Sequence, residues 1–545
     1  MLKFLTRHYV FFSLLLLVGA IAGYSFLYAD QYVSRWMGAK LTGYINQHPS
    51  NRYACKIGEL EVSLWKASID LNEIHIYPKD SLKWHHQSRG NYVFDKIRVE
   101  GWAWWELFTQ KKIYVESLTV QGAKCIFFLE DSLKVKGLTG EKALWEEYLK
   151  AISIGQLAIH GFNGACYQAQ HEEELLYQVD SMYAEIQGVH REIQGNNEEV
   201  RYEQMYVKLN RFTANSLPDH HLEVKNIEVN SQKRTLTMED LLLQPRLGKK
   251  AFNRQLIRQK DWIQAYFSKI RLQGFHPKTW RHISMIQVVR PTVSIYRDRN
   301  LPSPRGYKPL PSQLLREMDV SFAIDSIRIR QGGVVYEEVA KGKSSPGQIA
   351  FSAVNALGKH LTNIPQVGKA LALQKEVSPK AFTLTASGKV LGEGRMYASL
   401  QVPVFQENNQ FELTGKITGL NKHMLNPVLE PLASVRLQSG RFRSINFHFI
   451  ADEHRARGRL KADYEELKIV LFKQKAKGVQ KRRLASFLAN QVIIRNKNLL
   501  GSKGFHLGTI AVARNKERSL FHYIWGAVKE GIMTSIVKSK GNKKK

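Results

Sequence analysis

Two histidine pairs are the first residues in this sequence with chemistry to offer. His85-His86 and His220-His221 supply imidazoles, the commonest metal ligand among side chains. Adjacent residues on an extended chain point to opposite faces, so neither pair suits one ion. The acidic runs Glu172-Glu173-Glu174 and Glu337-Glu338 hold the carboxylates that general acid–base work needs, but each reads as solvated surface. Cys55, Cys125 and Cys166 are odd in number and far apart. That excludes a disulfide scaffold and leaves room for one bridge. No H-E-x-x-H, G-x-S-x-G, G-x-x-x-x-G-K-[ST] or C-x-x-C occurs. The sequence predicts a non-enzymatic chain with no cofactor, no catalytic residue and no metal site. The Trp102, Trp104 and Trp105 group reads as a core or interface anchor, with lipid contact as the alternative.

Charge points to a kind of partner. The chain has 80 Lys+Arg against 48 Asp+Glu, a formal charge of +32. Such a surface favours an acidic partner: anionic phospholipid, acidic glycolipid or nucleic acid. The N-terminus argues against nucleic acid. Val10–Tyr28 is free of charge and close to the ~20 residues that span a ~30 Å hydrocarbon core. Its apolar residues are Val10, Phe11, Phe12, Leu14, Leu15, Leu16, Leu17, Val18, Ile21, Phe26 and Leu27. Lys3 and Arg7 precede it, while Asp30 follows, which favours a cytoplasmic N-terminus and an exported body. A signal peptide cleaved after Ala20-Ile21-Ala22 is the competing reading; the apolar run continues past that point and favours an anchor.

Strands must position whatever the exported body carries. Period-two alternation dominates after residue 55, as in Phe382-Thr-Leu384-Thr-Ala386, Ser444-Ile445-Asn-Phe447-His-Phe449 and Leu467-Lys-Ile469-Val-Leu471. Such strands suit antiparallel sheets with one wet face. Residues 452–458 read as a hairpin turn. A weak unit also recurs: an apolar residue, two polar or small ones, then Ile/Leu-x-Ile/Val, a short turn and a second strand. Its copies begin at Val115, Ile154, Ile283 and Ile324, with half-copies at Phe94 and Val224. The irregular spacing argues against a closed propeller and for an elongated sheet that adds strands.

Helical segments are few: Trp102–Gln110, Glu141–Ala151, a basic amphipathic Phe252–Phe267, and a C-terminal helix near Ser519–Val537. The expected organisation is a cytoplasmic end and anchor over 1–30, a repetitive β-rich region over 31–300, and a Pro-rich linker over 301–313. A second β-rich region over 314–517, an amphipathic helix over 518–537 and a basic tail over 538–545 follow. The C-terminal helix has two readings. It either closes the end of the sheet, or lies on a membrane through Phe521, Ile524, Trp525 and Val528, with Lys529, Lys538 and Lys540 near headgroups.

From Pro311 to Lys538 the chain resembles the AsmA-like superfamily of bacterial envelope proteins, in an uncharacterised-domain branch. The resemblance is carried by Ile324-Asp-Ser-Ile-Arg-Ile-Arg-Gln-Gly-Gly-Val-Val-Tyr336-Glu-Glu338, Pro346-Gly-Gln-Ile-Ala-Phe351, Leu361-Thr-Asn363, Leu413-Thr-Gly415 through Asn421, Leu425-Asn-Pro427, Gly440, Gly458 and Gly526–Gly531. It implies kinship with bridge-like lipid transfer proteins, whose sheets curl into a trough that takes acyl chains. The expected fold is mainly β: an anchor helix, an elongated antiparallel sheet curled into a groove, few short helices and a C-terminal amphipathic helix. The expected place is a bacterial inner membrane, single-pass, with the body in the periplasm. Membrane lipid, anionic phospholipid or glycolipid, is the expected partner, an envelope protein a possible one, and nucleic acid none. Candidate groove residues are Ile327, Ile329, Phe382, Leu384, Ile445, Phe447, Phe449 and Ile469. A dry two-sheet sandwich remains open, as does a membrane-anchored scaffold that assembles other envelope proteins.

Overall fold

The computed structural model describes residues 29–43, 46, 53–79, 88–102, 112–130, 151–194, 197–275, 281–365, 381–471 and 493–538. The chain is mainly β, with strands β1–β23 and few helices among the described residues. The helices are α1 (29–43), α2 (Lys249–Arg254), α3 (Pro311–Arg316), α4 (Lys422–Ala433) and α5 (Leu520–Ile536). Two compact units divide the chain: Met1–Pro218 with Leu222–Lys233, and Asp219–His221 with Arg234–Lys545.

In the first unit, β1 (Tyr53–Ser63), β2 (Ser68–Pro78) and β3 (Arg89–Glu100) form an antiparallel meander. β4 (Lys112–Gln121) and β5 (Lys124–Leu129) lie end to end along β3 and pair in parallel with β6 (Ala151–Gln168). Antiparallel pairing resumes through β7 (His171–Gln194), β9 (Gln204–Ala214) and β10 (His220–Asn230), with the short β8 (Asn197–Arg201) beside β7.

The recurring sequence unit has a structural cause. Pairing joins Val115 to Ile154 and Ser117 to Gln156, leaving Glu116 and Gly155 out of the ladder. On the next strand Gly188 is skipped as well and has φ 63°. One residue per strand is thus expelled, as in a β-bulge, which flips the alternation. Val115 and Leu118, three apart, then serve the same face. A second line of kinks crosses at Glu73, Gly122, Gly161, Ser181 and Asn226, all at positive φ. The expected turn is a kink inside a continuing strand after Ile154, where β6 runs 18 residues straight through Gly161, whereas after Val115 the strand breaks at Gly122 between β4 and β5.

Helix α1 lies along the free edge of β1. Asp30 accepts from the Leu64 amide (3.0 Å), Ser34 from Val62 (2.8 Å), and Asn46 from Cys55 (2.7 Å). Edge amides that would recruit a foreign strand are occupied by side chains of the same chain.

In the second unit β11 (Thr235–Pro245), β12 (Trp262–Gln273) and β13 (His282–Asp298) are antiparallel. β14 (Ala323–Val339) pairs with β13 in parallel, after a crossover that contains α3. Then β15 (Pro346–Thr362), β16 (Phe382–Val390), β17 (Gly394–Val402), β18 (Phe411–Asn421), β19 (Val435–Ala451), β20 (Arg455–Leu471) and β22 (Gly508–Ala513) each pair antiparallel with the one before. The minor strands β21 (Ile493–Ile494) and β23 (Val537–Lys538) pair with each other. Kinks recur here at Asp240, Arg290, Gln331 and Ala353.

A dry core occupies the C-terminal part of this unit. Phe411, Phe449, Ala456, Leu460, Ala462, Tyr464 and Ile510 meet Tyr523, Ala527, Val528 and Ile536 of α5, and Val428 of α4. Residues 301–313 belong to this unit and join nothing to it as a linker. Leu310 is buried in the core, Arg514 forms an ion pair with Glu453, and the Tyr307 hydroxyl donates to Glu453 (2.9 Å). Pro311 starts α3, where its fixed φ and missing N–H suit a first turn.

Two other expectations change. Phe252–Phe267 is not one helix: α2 stops at Arg254 and Trp262 opens β12, whose aromatic and β-branched run fits a strand between two partners. Helix α4 was hidden by Pro427 and Pro431 inside it; its start is fixed by Asn421, whose side chain accepts from the His423 and Met424 amides. The C-terminal helix matches its expected span, with Ser519 as N-cap. The anchor Val10–Tyr28, Glu141–Ala151 up to residue 150, and Trp102–Gln110 beyond Trp102 lie outside the described residues, as does the tail beyond Lys538; Ala151 itself opens β6. No helix among the described residues is long and apolar enough to cross a membrane.

Candidate functional site

Cross-strand register in the second unit builds two continuous apolar rows. One runs Leu236, Leu272, Ile286, Ile327, Gly358, Leu384, Leu400, Leu413, Phe449, Gly458, Ile510. The next runs Met238, Ile270, Val288, Ile329, Ala356, Ala386, Ala398, Gly415, Phe447, Leu460, Gly508. Gly415 leaves room for the Phe447 ring, which a Cβ there would overlap. Facing side chains in such rows stand about 5 Å apart, close enough to form an unbroken apolar strip.

Burial changes along the first row. Leu236, Leu272, Ile286, Ile327, Leu384 and Leu400 are half-buried. Leu413, Phe449 and Ile510 are buried, at 8%, 1% and 1% exposure. The difference follows the helices. α5 packs on β20 and β22, and α4 on β15, β18 and β19. Over β11 to β14, α4 reaches β14, and α2 touches β12 and β13 at Trp262 and Tyr296, through Lys249 over both rings (5.3 and 5.7 Å) and Asn253 donating to the Tyr296 hydroxyl (3.3 Å). An apolar sheet face without a second layer needs another cover.

All eight candidate groove residues lie on this face, in two environments. Ile327, Ile329 and Leu384 are half-buried outside the dry core, while Phe382, Phe447 and Ile469 are half-buried and pack against it. Ile445 and Phe449 are buried at 5% and 1% and belong to the dry core, so they are not open to a ligand. The alternation of their strand did not reveal the core that α4 and α5 close over it. Of the candidate interfacial residues, Val528 is buried against the sheet and Ile524 is half-buried. Phe521 and Trp525 are exposed at 42% and 41%, and Phe521 also meets the Tyr336 ring at 5.1 Å. The helix therefore packs as a closing element, which corrects Val528 as a membrane contact.

The first unit repeats the design. Leu60, Leu71, Ile97, Val120, Ile159, Ala184, Val207 and Val229 form one row; all but Ala184 are half-buried. Cys55, Cys125 and Cys166 are free and buried, and burial pushes each thiol pKa up. High-pKa thiols are poor nucleophiles.

Several titratable groups elsewhere are tied into pairs. Glu337 meets Lys249 (2.5 Å), and Glu338 meets Arg299 (3.1 Å) and the Tyr336 hydroxyl (2.7 Å). Glu172 pairs with Arg89. Glu172, Glu337 and Glu338 are thus partnered rather than merely solvated. His220 Nε2 lies 3.0 Å from the Ile263 carbonyl, and His85-His86 lies outside the described residues. Among the described residues no group of three or more potential ligands could hold a metal ion. This arrangement can cover an apolar molecule. In the first unit Ser153 Oγ lies 2.8 Å from His190 Nδ1, its cross-strand neighbour. Neither a protein-family model nor a curated protein matches the chain.

Proposed function

We propose that the chain is a non-enzymatic, membrane-anchored envelope protein that binds or conveys lipid along an apolar β-face curled into a groove. The observation that carries this reading is the half-buried stretch of the apolar row, from Leu236 to Leu384, which lies outside the dry core. Acyl chains are a fitting cover, because they bring apolar surface without backbone polar groups to satisfy. The apolar segment Val10–Tyr28 supplies an anchor beside a lipid source. A bacterial inner membrane with a periplasmic body is the setting that the AsmA-like resemblance suggests, and support of outer-membrane lipid homeostasis the role.

Photocrosslinking of the full chain in cells tests this. A photoreactive residue replacing Leu384, on the apolar face, should capture phospholipid; one replacing Thr385, on the opposite face, should not. Equal labelling at both sites would sink the proposal. Capture of a stoichiometric protein at Leu384, with no lipid, would replace it by the scaffold reading.

A further inference from the structure

The face of the second unit opposite the apolar rows carries a depression of about 340 Å³. Arg328, Arg330, Thr385, Ser387 and Tyr397 line it. Two neighbouring kinks, Gln331 (φ 54°) and Ala353 (φ 49°), lie beside it, close in sequence to Arg330 and Asn355 of its lining. Asn355 stitches them together, accepting from the Gln331 amide (3.2 Å) and donating to the Ala353 carbonyl (3.1 Å). The line of kinks that keeps apolar residues on one face thus leaves a hollow on the other.

An arginine pair on an open sheet is ordinarily solvated, and three features set this one apart. No carboxylate lines the hollow, and neither arginine makes an ion pair or side-chain hydrogen bond with the described residues. Arg328 and Arg330, two apart on one strand, stand about 7 Å apart at Cα, a spacing from which two guanidinium forks converge on one phosphate. Across the hollow, Ser387 and Tyr397 are direct partners on β16 and β17. Tyr397 is 47% exposed, so its ring is accessible to a ligand. A hydroxyl and a flat aromatic face beside each other suit a ring that carries hydroxyls. Three strand spacings, about 14 Å, separate the arginine strand from the tyrosine strand; the long side chains shorten that gap to the reach of a hexose phosphate.

We propose that this hollow binds a phosphorylated sugar, with the phosphate on Arg328 and Arg330 and the sugar ring on Tyr397. The ligand is either a free sugar phosphate or a glycolipid headgroup presented at a membrane surface. Lipid binding on the opposite face is not required for it.

Calorimetric titration of the full chain in phosphatidylcholine nanodiscs, with glucose 1-phosphate, inorganic phosphate and glucose, tests the site. Saturable binding of glucose 1-phosphate is expected, tighter than either fragment. Arg328→Gln with Arg330→Gln should weaken it about tenfold or more, and Tyr397→Ala should erase the preference over inorganic phosphate. Arg459→Gln with Lys461→Gln removes equal charge elsewhere on this face and should leave affinity unchanged. Absent binding, equal affinity for inorganic phosphate, or an equal loss in the control variant each overturns the proposal. Flotation with phosphatidylcholine vesicles, with or without lipid A, then separates the sources. Recruitment only by lipid A, lost in the double arginine variant, assigns the headgroup; titration without recruitment assigns the free sugar phosphate.

Discussion

The Thr534 hydroxyl accepts a hydrogen bond from the Thr509 amide at 2.9 Å and lies 3.0 Å from the Thr509 carbonyl oxygen. One side chain of α5 thereby occupies the edge amide of a residue in β22, while its single proton is shared among the Thr509, Glu530 and Gly531 carbonyls. β22 pairs with β20 on one side, and no further strand pairs with it among the described residues. The same device protects β1, where Ser34 and Asp30 of α1 take up edge amides. Thr534→Val keeps the shape and removes the hydroxyl. It should cost about 1–2 kcal/mol and speed hydrogen exchange at the Thr509 amide. Unchanged exchange would mean that this hydroxyl does not guard the edge.

Two glycines on opposite sides of the same packing should respond in opposite directions. A Cβ built at Gly508 would overlap the Gly531 carbonyl oxygen, backbone against backbone. Gly508→Ala must push α5 off the sheet and should destabilise by about 2–3 kcal/mol. A Cβ at Gly526 meets only Val512, at 3.8 Å. Gly526→Ala should stabilise by about 0.5–1 kcal/mol, since glycine weakens a helix interior. Denaturant melts of both variants check the pair, and equal effects would contradict the close approach.

Much of this architecture is legible in the residues, although its geometry is not. The unit Val115-Glu-Ser-Leu118-Thr-Val120 recurs 39 residues later at Ile154, and the two copies are parallel partners, with Val115 facing Ile154 and Leu118 facing Leu157. Ile283 and Ile324 repeat the relation. The repeats at these two short spacings therefore mark the strands that follow a crossover. The kink was hidden because a break in alternation looks the same whether the chain turns or only expels one residue. Helix α4 was hidden by its prolines. Phe449 and Leu384 carry the same pattern and differ in burial because Phe449 lies in the core that α4 and α5 close, a packing that local periodicity does not encode.

Tyr464 offers a test at both neutral and high pH. It is fully buried, and its hydroxyl has no protein partner among the described residues. Removing that hydroxyl in Tyr464→Phe should therefore gain about 1 kcal/mol at neutral pH. Burial raises its pKa from 10.0 to about 12, opposed by Arg495. The folded value lies above the unfolded one, so this group's contribution is intact below pH 10.0 and is lost as pH rises towards about 12. Tyr464→Phe should flatten that part of the alkaline decline. A loss of stability at neutral pH in the variant would show that the hydroxyl is satisfied.

The contrast between open and sealed parts of the apolar face predicts different costs for the same truncation. Leu460 is fully buried beneath α5, at 0% exposure. Leu460→Ala should cost about 2–5 kcal/mol, the range for a cavity in a packed core. Leu384 lies on the same face but is half-buried. With nothing over it, Leu384→Ala leaves no closed cavity and should cost about 1 kcal/mol or less in delipidated protein. Restoring phospholipid should raise that cost, because a ligand that binds only the folded chain adds stability in proportion to its affinity. Thermal melts of wild type and both variants, with and without phospholipid, make the comparison. If Leu384→Ala costs as much as Leu460→Ala without lipid, a protein layer already covers the face, and the apolar rows are an ordinary core.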